Sequence, residues 1–72
     1  MYSLTAVQAQ LLAFIKEEIA SKGLAPSVDE MRGHMRFGSK SGVHRILLAL
    51  EERGHIMRLK HRARAIKILE EK

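Results

Sequence analysis

The fold class predicted here is a mainly α domain of three helices closed by a small two-stranded β-hairpin, and three observations carry it. Thr5 with Gln8, and Ser27 with Glu30, are capping boxes standing directly before apolar runs of helical spacing. A third helical run, SGVHRILLALEER, stops at Gly54. Beyond it, Ile56 to Leu59 and Ala65 to Leu69 are short, β-branched and aliphatic, and they flank the polar segment KHRAR.

Each element has its own signals. The first helix is predicted over about 5–22. Val7, Leu11, Phe14, Ile15 and Ile19 recur on one stripe, Leu12 widens it, and Lys16, Glu17 and Lys22 are left to solvent before Gly23 ends the run. GLAPS is a connector, because Pro26 excludes helical geometry at Ala25. Val28, Met31 and Met35 then predict a short second helix over about 28–36. Gly33 inside it costs about 1 kcal/mol relative to alanine and would let a neighbouring helix come close. In the following FGSK, Phe37 can close the core and Gly38 can take a left-handed cap position.

The third helix is predicted over about 41–53. At about 100° per residue, Val43, Ile46, Leu47 and Leu50 share a narrow core-facing arc. Ser41, Arg45, Leu48 and Glu52 fall on the opposite side, with His44 at its flank. The exposed face is basic and slim at its start and acidic at its end, so it suits entry into a groove by the N-terminal half only. A hairpin over about 55–69 follows, with Ile66 and Ile68 on one face and a basic tip. The competing reading is an amphipathic helix continuing to Lys72, since Ala63 to Lys72 has fair helix propensity; Gly54 and the Ile66–Ile68 alternation favour the hairpin.

Bulk composition bounds the function. Seventy-two residues allow one domain, 1–72, near the size at which a single core only just stabilises a fold. With 46% hydrophobic residues but two Phe and one Tyr, the core must be aliphatic. No cysteine is present, so neither a disulfide framework nor a thiolate metal site is available. The longest uncharged run, Met1 to Ile15, is too short to span a bilayer and lacks the basic start of a secretory signal. A soluble cytoplasmic protein without a membrane partner is expected.

Charge is distributed unevenly. The net charge is +5, yet residues 1–31 carry −2, residues 32–67 carry +8 with only Glu51 and Glu52 as acids, and residues 68–72 carry −1. All four histidines lie in the basic block. Such asymmetry points to a polyanionic partner. Two helices joined by a turn of about four residues, the second with a basic N-terminal half, make a helix-turn-helix, and a basic hairpin after them makes it winged.

Four pieces of the chain, LTAVQAQLLAFI, GLAPSVDEM, SKSGVHRILLALEERG and RARAIKIL, resemble the N-terminal DNA-binding domain of LexA-type repressors. They stand in the family's order without an obvious gap and cover nearly the whole chain. The resemblance implies a winged helix-turn-helix with its third helix in the major groove. It also implies transcriptional repression of the SOS type, responding to DNA damage, at the bacterial nucleoid. Base reading is implied for Ser39, Lys40, Ser41, Gly42, His44 and Arg45, and backbone contact for Arg53 and the wing residues Lys60, His61, Arg62 and Arg64. Within that set Arg45 suits a bidentate contact to guanine, with Ser41 and His44 adjusting neighbouring positions. The SKSGVHR form resembles one branch of the family and departs from the form with acids at positions 44 and 45, which implies a different operator.

Family repressors continue into a second domain that dimerises and cuts the chain at an Ala-Gly bond with a Ser and Lys pair. This chain ends at Lys72 and has no Ala-Gly dipeptide, so self-cleavage is not expected of it. The resemblance implies an operator of two half-sites occupied by two copies of the protein. Other chemistry is poorly supported. His34, His44, His55 and His61 form no i, i+4 pair, no glycine-rich phosphate loop exists, and Ser39 and Ser41 at a helix start usually serve as caps. No metal, cofactor or enzymatic activity is expected. The competing function is a winged-helix module that binds an acidic protein surface through the same basic patch.

Overall fold

Residues 4–59 and 66–69 are described by the computed structural model. They form α1 (Ala6–Lys22), α2 (Val28–Met35), α3 (Lys40–Glu52), β1 (Ile56–Arg58) and β2 (Ile66–Ile68). This is the three-helix domain with a small hairpin that the sequence predicts.

Both capping boxes form. Gln8 N–H donates to Thr5 Oγ1 at 3.1 Å while Thr5 N–H donates to Gln8 Oε1 at 3.2 Å. Glu30 N–H donates to Ser27 Oγ at 3.1 Å, and Ser27 N–H to Glu30 Oε1 at 2.8 Å. Each box satisfies two backbone donors that a helix start otherwise leaves to water. At the far end of α1, Gly23 adopts φ 81° and returns its N–H to Ile19 O at 2.8 Å.

The core is the aliphatic one that composition demands. Leu11, Leu12 and Ile15 of α1 meet Met31 of α2, Val43, Leu47 and Leu50 of α3, and Ile56 of β1, with Ala25 of the connector closing one side. Phe14, Ile19, Met35, Phe37 and Ile46 pack around it partly buried. Val7 departs from expectation and is 41% exposed. With Leu12 buried, the inward arc of α1 is centred beyond Leu11 toward Ile15 and Leu12, which leaves Val7 at its edge.

The turn between α2 and α3 is built differently from its predicted form. The left-handed residue is Arg36, at φ 61°, ψ 38°, and not Gly38. Phe37 N–H donates to Arg32 O at 3.1 Å and Arg36 N–H to Gly33 O at 3.2 Å. This paired closure is the Schellman motif, which fixes the left-handed position by hydrogen-bond count rather than by where a glycine happens to lie. Gly33, in turn, faces open space, so no helix approaches it.

Arg36 is exposed and is the one non-glycine with positive φ among the described residues. A left-handed L-residue costs roughly 1–2 kcal/mol, while glycine surrenders about 0.5–1 kcal/mol more chain entropy on folding. Arg36→Gly should therefore stabilise the domain by about 0.5–1 kcal/mol. A urea titration would register it as a higher midpoint at unchanged slope. A lower midpoint would mean that the Arg36 side chain stabilises the turn in a way the backbone argument omits.

At its C-terminus α3 closes in the same manner. Gly54 takes φ 82°, Gly54 N–H donates to Glu51 O at 3.1 Å, and His55 N–H to Leu50 O at 3.0 Å. The chain reverses there into β1, which pairs antiparallel with β2 in the register Ile56–Ile68, Met57–Lys67 and Arg58–Ile66. Ile66 and Ile68 turn one face of this ladder onto the core, while Met57 and Lys67 face outward. The hairpin, and not a continuing helix, is what forms.

Candidate nucleic-acid interface

Two faces of α3 are separated cleanly. Val43, Leu47 and Leu50 are buried, whereas Lys40, Ser41, His44, Arg45, Leu48 and Glu52 are exposed. A helix of 13 residues is about 20 Å long, enough to lie across a major groove about 12 Å wide. From Arg32 through Leu50 the sequence holds four Arg or Lys and no acid. The turn and the first two-thirds of α3 therefore present a single sign of charge.

The start of α3 differs from the other two helix starts. Ser39 is the N-cap, but its hydroxyl makes no capping bond. It shares a hydrogen bond with Ser41 Oγ at 2.8 Å instead. No acidic side chain lies in the first turn of α3, in contrast to Asp29 and Glu30 on α2. First-turn N–H groups without a side-chain acceptor, at the positive end of the helix dipole, favour an anion such as phosphate.

Among the predicted base-reading residues, Ser39, Lys40, Ser41, His44 and Arg45 are all exposed around this helix start. Gly42 is not among them. A Cβ there would lie 3.2 Å from Phe37 Cδ2 and 3.6 Å from its Cε2, so Gly42 faces the Phe37 ring. Its small size lets the turn pack closely against α3.

Arg53 occupies a more constrained position than expected. Its Nη1 donates to Gln8 Oε1 at 3.1 Å, the same oxygen that accepts Thr5 N–H. The first cap of α1 is thus tied to the last turn of α3. Lys60, His61, Arg62 and Arg64 lie outside the described residues.

Several supporting contacts escaped the sequence reading. Glu51 Oε2 accepts Arg58 N–H at 3.3 Å and Glu51 Oε1 accepts Arg58 Nε–H at 3.4 Å, which fixes β1 to α3 and turns this carboxylate toward the wing. Arg32 donates through Nη1 to Phe37 O and through Nε to Asp29 Oδ1, each at 3.3 Å, bracing the turn. His34 stacks on Phe14 with ring centroids 3.9 Å apart and planes inclined by 6°. The Asp29–Arg32 spacing was a readable signal; the other pairs are tertiary and left none. Among the described residues no group of three or more His, Asp or Glu is placed to hold a metal ion. None of the helices there is long and apolar enough to cross a membrane.

Three helices, a four-residue turn leading into an exposed basic helix, and a paired hairpin behind it define a winged helix-turn-helix of the DNA-binding class. Comparison with known proteins agrees. Residues 1–65 match the family model of the LexA DNA binding domain, and the chain belongs to that family. It is 53% identical over 66 residues to a LexA repressor of Ruegeria sp. (strain TM1040) and 54% identical over 66 residues to one of Cereibacter sphaeroides. A LexA repressor of Paramagnetospirillum magneticum is 50% identical over 66 residues. Each match covers 92% of this chain but only 27%, 29% and 28% of the respective relatives, so the chain spans little more than a quarter of their length.

Proposed function

We propose that this chain is the operator-reading module of a LexA-type transcriptional repressor, acting in SOS-type regulation in the bacterial cytoplasm at the nucleoid. The observation that carries the reading is the outward face of α3, where Ser41, His44 and Arg45 stand exposed beside an uncapped, acid-free helix start. In the groove, Arg45 reads guanine through its two parallel donors to O6 and N7. Ser41 and His44 adjust neighbouring positions, while Ser39 and Lys40 meet the adjacent edge or phosphate. Arg53 and the wing, including Lys60, His61, Arg62 and Arg64, contribute backbone contacts that carry affinity without sequence information. The operator holds two half-sites, each taken by one copy. The module performs no catalysis of its own.

A titration at several salt concentrations, on a duplex selected from a random DNA pool and on an unrelated duplex, tests this reading. Log affinity should fall linearly with log salt, by about 0.9 per phosphate neutralised. Arg45→Ala should cost about 1–3 kcal/mol on the selected duplex and much less on the unrelated one. Equal losses on both would make Arg45 a phosphate contact. A chain that shifts no duplex at low salt, yet binds an acidic protein surface that DNA does not displace, would replace the DNA reading altogether.

A further inference from the structure

The outer face of α3 carries one residue that neither phosphate contact nor hydrogen-bonded base reading uses. Leu48 is 49% exposed, the largest exposure among the large hydrophobic side chains of the described residues. Its neighbours at i±3 and i±4 on the helix are His44, Arg45, Glu51 and Glu52, and none of them is apolar. At about 100° per residue Leu48 lies within about 20° of Ser41 and falls between His44 and Arg45. Along the axis it stands about 4.5 Å beyond Arg45, somewhat more than the 3.4 Å rise of one base pair.

Position separates Leu48 from the other exposed apolar residues. Val7 lies on α1, Leu24 in the connector, and Met57 and Leu59 at the wing, and single apolar residues scattered over a surface are ordinary. Leu48 instead lies on the stripe offered to DNA, just before the acidic end of α3. An aliphatic side chain has one distinctive partner in the major groove, the C5-methyl of thymine. Cytosine offers an N4 donor nearby, which a leucine cannot pair, so desolvating that donor disfavours cytosine at the same place.

We infer that Leu48 is a further specificity-determining residue, which packs on a thymine methyl about one base pair beyond the position read by Arg45. The inference rests on the placement of α3 in the groove proposed above. It makes the readout of each half-site partly apolar and adds discrimination beyond the position read by Arg45.

Deoxyuridine provides the test, because it removes only the methyl and keeps every hydrogen-bonding group of thymine. Each thymine of the selected operator is replaced in turn, and affinities are measured for the unaltered chain and for Leu48→Ala. One position per half-site should weaken the unaltered chain about three- to fivefold, the effect of one buried methyl, while leaving Leu48→Ala unchanged within about 1.5-fold. Circular dichroism of Leu48→Ala should match the parent, since an exposed leucine is being truncated. If no thymine couples to Leu48, or the selected operator has no thymine there, the inference is overturned. The Arg45→Ala comparison on selected and unrelated duplexes separates the two levels. Retained discrimination by Arg45 with no thymine coupling removes Leu48 alone, whereas loss of both removes the placement of α3.

Discussion

Leu47→Ala should cost about 2–5 kcal/mol of folding stability and weaken binding to every DNA sequence alike, in proportion to the fraction of the chain that it unfolds. Leu47 is 1% exposed and sits among Leu11, Leu50 and Ile56 where α1, α3 and β1 meet. Truncation removes its transfer free energy and leaves a cavity that three separate elements would have to move to fill. The scale of the effect matters because the domain is small. At roughly 0.05–0.15 kcal/mol per residue, a chain of 72 residues has a total stability of about 4–11 kcal/mol. One methyl cluster in the core therefore represents a large share of the whole. Urea denaturation followed by circular dichroism measures it, with Leu48→Ala as the neighbouring control that should stay within about 0.5 kcal/mol. A loss at position 47 smaller than at position 48 would mean that the two faces of α3 have been exchanged.

That contrast between adjacent residues was readable in the sequence because helical periodicity alone sets it. Both capping boxes, the glycine terminations at Gly23 and Gly54, and the Ile66–Ile68 face of the hairpin are equally local, and they form as their spacing predicts. The candidate interface was legible for a related reason, since charge asymmetry and helix face are both one-dimensional patterns. Where the structure departs from the sequence expectation, a contact that no spacing pattern announces decides. Gly42 faces the Phe37 ring, and only the three-dimensional turn brings that ring within 3.2 Å of a Cβ at this position. The left-handed residue of the turn is chosen by the hydrogen bonds of Arg36 and Phe37 to the end of α2, against the local preference that favours Gly38. Ser39 heads α3 but spends its hydroxyl on Ser41, so a good capping residue type does not by itself make a cap. Gln8 and Arg53 are 45 positions apart, and no spacing rule links a capping amide to a guanidinium at that separation.

Joining two copies of the chain through any dimeric domain fused after Lys72 should raise apparent affinity for a two-half-site operator by about 10²–10⁴-fold. Alone, the chain should sediment as a monomer at micromolar concentration. Among the described residues the apolar faces close one core, and the large hydrophobic residues left exposed, Val7, Leu24, Leu48, Met57 and Leu59, are spread over α1, the connector, α3 and the wing. Those described residues make no continuous seam of the kind that holds two helices together. A single α3 spans only a few base pairs, too little information to single out one operator among the competing sites of a genome. On the two-half-site reading proposed above, specificity comes from two readers bound together, and their linkage supplies it without any new contact to DNA. Each half-site still contributes its own weak binding, while the second event occurs at an effective concentration set by the linker. Titrating free and fused chains on one-site and two-site duplexes, after sedimentation of the free chain, gives the measurement. The fused chain should prefer the two-site duplex steeply, lose that preference when the sites are moved by half a helical turn, and bind the one-site duplex no better than the free chain does. Equal affinity of the fused chain for one and two sites, or a tight dimer of the free chain without DNA, would place the source of specificity within a single copy.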